Sequence, residues 1–70
     1  MRRFLVVIEK AKGNYSAYSP DLPGCVATGK TKAEAEENIY EAIKMHIQVM
    51  IEDKLSVPAS KSIAEYVAVE

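Results

Sequence analysis

The sequence has no tryptophan, a single cysteine (Cys25), a single histidine (His46), and three each of glycine and proline in seventy residues. A lone cysteine cannot form an internal disulfide, and one cysteine with one histidine falls short of the four ligands of a structural zinc site. The covalent and metal staples that stabilise many domains of this size are therefore excluded. Charge of one sign is also scarce: nine basic and ten acidic residues leave a net charge of −1. The basic clusters are Arg2-Arg3 and Lys30/Lys32. That footprint is too thin to neutralise a run of phosphates, so direct nucleic-acid binding by this chain is not expected. Long hydrophobic runs are missing as well. "FLVVI" is stopped by Glu9 and Lys10, too early for a signal peptide or a membrane span, and a soluble cytoplasmic protein is expected.

What is present is a high apolar share, 49% of the residues. Residues 1–70 suffice for one domain and leave no room for a second. A core of this size yields little net stability, and an apolar chain without staples gains it by burying surface against another chain. A homo-oligomer, dimer or tetramer, is the expected state.

Along the chain, "RFLVVIEK" (Arg3 to Lys10) reads as a strand with both faces apolar, Phe4, Val6 and Ile8 on one and Leu5 and Val7 on the other. Gly13-Asn14 marks a turn, and "YSAYS" reads as the returning antiparallel strand. "CVATG" is a short third strand ending at Gly29. Thr31 with Glu34 forms a T-x-x-E capping box, and acidic residues in the opening turns suit the positive end of the helix dipole. From Lys32 to about Asp53 the pattern is helical. Ala35, Ile39, Ala42, Ile43, His46, Ile47 and Met50 form a broad stripe opposite Glu37, Glu41, Lys44 and Gln48. After a connector containing Pro58, "IAEYVAVE" reads as a fourth strand.

The expected fold is thus α+β with element order βββαβ. Strands one to three form an antiparallel meander, and the helix carries the chain back to the free edge of strand one. That gives a four-stranded mixed sheet of order 3-2-1-4 with the helix on one face. One helix cannot cover both faces, so the other is left as a contiguous apolar surface of the kind that marks interaction sites.

Cys25 follows Gly24 at the start of a strand and reads as a small buried hydrophobe, since no cation is placed to stabilise a thiolate. His46 falls on the apolar stripe and reads as a packing residue. A βββαβ order is also the core of metal-dependent nucleases of the ribonuclease-H type, which need clustered carboxylates. Here Glu9, Asp21 and Glu65 are scattered over three elements, so no catalytic, cofactor or metal-binding set is legible and an enzyme is not expected. The remaining distinctive segment is "SPDLPGC". Two prolines and a glycine within six residues make a rigid connector, whose low entropy favours docking to a partner.

"YSAYSPDLPGCVATGKTKAEAEENIYEAI", Tyr15 to Ile43, resembles the signature of the HicB antitoxin domain. In that family an aromatic strand precedes P-D-L-P-G-C, then come a small-residue strand, a G-x-T turn and a helix opening with an acidic A-x-x-N segment. The resemblance implies a degraded ribonuclease-H-like fold that is not a nuclease. It further implies a partner, a small basic HicA-like ribonuclease toxin whose active surface is occluded. Tyr18, Pro20, Asp21, Leu22 and Pro23 are the expected partner-binding residues, with Asp21 and Leu22 at the loop tip. Many members add a ribbon-helix-helix or helix-turn-helix segment that represses their operon. None is legible within these seventy residues, a short form for which operator binding is not expected. The alternatives are an orphan oligomeric domain with another partner and a metal-dependent nuclease, which would require Glu9, Asp21 and Glu65 to converge on a cation.

Overall fold

A computed structural model describes residues 2–70. Three strands and one helix follow in the order β1 (Val7–Ala11), β2 (Asn14–Tyr18), β3 (Val26–Gly29) and α1 (Lys32–Glu52). The strands form one antiparallel sheet, β1-β2-β3, so the fold class is α+β and the expected meander is present. Gly13, with φ +86°, occupies the tight turn between β1 and β2 that an L-residue resists.

Ladder register sets which side chains share a face. Ile8, Ala17 and Ala27 are aligned across the sheet, as are Val7, Tyr18 and Val26. Because faces alternate along a strand, these two rows point to opposite sides. The Ala17 row faces α1: Ala17, Leu22, Cys25, Ala35 and Ile39 form the fully buried core, with Phe4, Val6, Ile8, Tyr15, Ala27, Ala42 and Ile43 packed around it.

Helix α1 starts at the expected N-cap with half of the capping box formed, the reciprocal bond coming from the residue before the cap. Thr31 has an extended backbone and its Oγ1 accepts the Glu34 N–H at 3.0 Å, while the Glu34 carboxylate accepts the Lys30 N–H at 3.0 Å. Gly29 lets the first turn settle onto the sheet, since a Cβ there would come within 2.8 Å of the Glu34 carbonyl carbon. The side chain of Asn38 then donates to the Thr28 carbonyl at 2.8 Å, tying the helix to edge strand β3. At the other end, Leu55 N–H donates to Met50 O (2.8 Å) and Lys54 N–H to Ile51 O (3.0 Å), a Schellman closure. Lys54 occupies its left-handed position, φ 59°, where glycine is usual.

Two expectations are corrected. The first strand runs Val7–Ala11 and not Arg3 to Lys10. Val7 is already paired with Tyr18, and β2 leaves the ladder at Ser19 to enter the proline loop, so residues 3–6 have no strand beside them. Leu5 is held instead by a side chain, its carbonyl accepting the Ser19 hydroxyl at 2.9 Å. The fourth strand is not formed among the described residues, and neither is the 3-2-1-4 sheet that a ribonuclease-H-like fold requires. Residues 55–70 have no regular structure, and from Ile63 onward the chain is exposed. The radius of gyration, 13.5 Å, exceeds the roughly 11 Å of a compact seventy-residue domain for this reason.

Candidate functional site

The proline loop is two tight turns in succession. Leu22 N–H donates to Ser19 O and Cys25 N–H to Leu22 O, each at 3.1 Å, and Ser19 N–H closes the base on Cys25 O at 3.3 Å. Each proline sits at the second position of its turn, where the fixed φ is wanted and no N–H is needed. Gly24 follows Pro23 with φ +82°, the left-handed third position of a type II turn. The loop is therefore rigid by construction and stands at the sheet end where β2 stops and β3 begins.

The expected site residues separate into three roles. Pro20 and Pro23 are exposed on the loop, and Tyr18 is 37% exposed where β2 enters it. Asp21 is half-buried, and its carboxylate accepts the N–H groups of Lys61 (3.1 Å) and Ser62 (3.0 Å) and the Ser62 hydroxyl (2.9 Å). The backbone N–H of Ser62 is the main cause that holds the Asp21 carboxyl below its ordinary value. Leu22 is not at the tip. It is 1% exposed and belongs to the core with Ile39, because the residue shared by the two turns is directed back under the loop. Sequence reasoning misses Ser19 and Ser62, the two hydroxyls that tie the loop region to its neighbours. A serine before Pro-Asp was the available signal for the first, and nothing local marks the second.

The face away from α1 continues from the loop. Val7, Tyr18 and Val26 lie side by side across the sheet, and Val26 is 67% exposed. Further along, the same face turns polar with Glu9, Ser16 and Thr28. An apolar row bordered by a rigid loop on one side and hydroxyl residues on the other suits a protein surface better than a small molecule.

The arrangement offers little for covalent chemistry. Cys25 and His46 line one shallow depression with Gly24, Val26, Ala42, Met45 and Val49. Burial pushes the Cys25 thiol up from its ordinary value, away from the thiolate a nucleophile needs. Glu9, Asp21 and Glu65 are not brought together, and among the described residues no three His, Cys, Asp or Glu side chains are placed to hold a metal ion. No helix among them is long and apolar enough to cross a membrane.

The chain is similar to several known proteins. The family described as "HicB_like antitoxin of bacterial toxin-antitoxin system" matches residues 4–70. An uncharacterised 14.9 kDa protein from the rep-hol intergenic region of Haemophilus phage HP1 is 42% identical over 62 residues, which are 89% of this chain and 47% of that protein. The chain thus spans about half the length of that relative. A UPF0150 protein of Helicobacter pylori is 41% identical over 56 residues, 80% of this chain and 78% of the relative. Among solved structures, a chain of a HicA3 and HicB3 toxin-antitoxin complex superposes with a TM-score of 0.66 at 27% identity, covering 83% of this chain and 72% of that one.

Proposed function

The chain belongs to the HicB-like antitoxin family of bacterial toxin–antitoxin systems, and on that premise we propose that it is a cytoplasmic, non-enzymatic binding module. Its partner is a small HicA-like ribonuclease toxin, whose active surface it covers. The contact surface comprises the apolar row Val7, Tyr18 and Val26, the exposed loop residues Pro20 and Pro23 and the half-buried Asp21 between them, with Leu22 acting from beneath as the anchor that holds the loop in shape. The observation that carries this reading is the adjacency of an uncovered apolar sheet face to a preorganised double turn. Binding there orders almost nothing further on this side, so the contact loses little to conformational entropy. Inhibition follows from steric exclusion of RNA and asks no proton transfer or metal of this chain.

The test is a titration of RNA cleavage by such a toxin with this protein. Cleavage falls to background near equal stoichiometry if the module occludes the active surface. Undiminished cleavage at large excess contradicts it.

A further inference from the structure

A second apolar surface lies on the opposite face of the sheet, at its β1 edge. There Phe4, Val6 and Ile8 diverge from Ile39, Ile43 and Ile47 of α1 and leave an open groove of about 510 Å³. Arg2, Glu36 and Lys44 stand at its rim. Among the described residues the outer edge of β1 has no strand beside it, so the groove is continuous with a row of unpaired backbone groups.

The same chain carries a segment with the opposite property. Residues 63–70, "IAEYVAVE", alternate as a strand does, yet Ile63, Tyr66, Val67 and Val69 are 84%, 106%, 80% and 86% exposed. Both faces of this arm are apolar, the pattern of a strand buried on two sides. Its base is fixed, since Lys61 and Ser62 are bound by Asp21. Beyond Ser62 the arm contains no glycine, proline, asparagine or serine that would turn it back onto its own sheet. Its eight residues extend roughly 26 Å, close to the span of residues 3–11 that line the β1 edge. Glu65, the charged residue among 63, 65, 67 and 69, is opposite in charge to Arg2 and Lys44 at the rim, where the third charged group, Glu36, is paired with Lys32.

We propose that the chain dimerises by reciprocal strand exchange, residues 63–70 of one copy lying along β1 of a second copy and closing its groove. Two copies related by a two-fold axis each give an arm and receive one, so both edges and both grooves are satisfied together. The four-stranded arrangement expected from the sequence is then completed between chains. The inference adds a mode of self-association to the binding role above and does not depend on the identity of any toxin.

The test uses this chain alone. Light scattering at micromolar concentration reads twice the 7.7 kDa of one chain, and Val67→Asp reads a single chain with its helix signal unchanged. Val67 is already exposed in one chain, so the substitution cannot unfold the domain from within. In a mixture of isotope-labelled and unlabelled protein, contacts between the Val67 methyls and Phe4 or Ile8 arise across chains. A monomeric wild type, a Val67→Asp variant that stays dimeric, or Val67 contacts arising within one chain alone would each overturn the proposal.

Discussion

Asp21 grips Ser62 twice, accepting its backbone N–H at 3.0 Å on one carboxylate oxygen and its hydroxyl at 2.9 Å on the other. The residues are 41 apart in sequence, so this contact joins the proline loop to the base of the exposed arm. Its acceptor is a carboxylate held below its ordinary value, chiefly by the Ser62 N–H, and the contact therefore depends on ionisation.

The sign follows from that direction. A carboxyl that is more acidic in the folded chain contributes stability fully above its ordinary value and loses it as pH falls through the lower folded value. The Lys61 and Ser62 amides are expected to stay protected at neutral pH and to lose protection below the ordinary aspartate value of 3.8. Asp21→Asn should remove the pH dependence and lower protection at neutral pH toward the level that the wild type reaches in acid. Amide hydrogen exchange at residues 61 and 62 checks both expectations.

Leu22 distinguishes a core residue from a surface residue. Since it is 1% exposed, Leu22→Ala leaves a cavity beneath the loop and should cost about 2–5 kcal/mol in a urea or thermal melt. Pro20→Ala, at an exposed position of the same loop, should cost about 1 kcal/mol or less, as a loss of unfolded-state restraint. Equal, small effects for both would place Leu22 outside the core.

How far the sequence reaches is clear from these elements. The capping box of Thr31 and Glu34 and the turns at Pro20 and Pro23 are local, and residue type alone announces them. The inward direction of Leu22 is not local, because a loop side chain is buried only once α1 has been laid across the sheet. The arm shows the same limit more sharply: alternation in 63–70 says that these residues suit a strand and is silent on which strand lies beside them. The uncovered face was legible in outline, since one helix covers one face, but the Val7, Tyr18 and Val26 row required the register.

Gly29 sits under the first turn of α1, where an added Cβ would press on the backbone of Glu34 and Ala35. Neither neighbour is a flexible side-chain end that could swing aside. Gly29→Ala should destabilise the domain by roughly 1–3 kcal/mol, measured by chemical denaturation, with exchange rising first in the helix's opening turn.

Lys54 closes α1 with φ 59°, a conformation that costs an L-residue roughly 1–2 kcal/mol and glycine almost nothing. Lys54→Gly should raise stability by about 1 kcal/mol after the entropy of the freer unfolded chain is deducted. An unchanged or lower melting temperature would contradict that account of the helix end.

The central claim is that the Val7, Tyr18 and Val26 face binds a toxin, and Val26→Asp tests it with least damage to the fold, since Val26 is 67% exposed. The most direct measurement is capture of partners from the native cell lysate with tagged wild type and tagged Val26→Asp in parallel, followed by mass spectrometry and an RNA-cleavage assay of what is recovered. The account predicts a small basic ribonuclease near equal stoichiometry with the wild type, silent while bound, and its loss from the variant. Recovery of nothing beyond the chain itself, or equal recovery by both proteins, would contradict it.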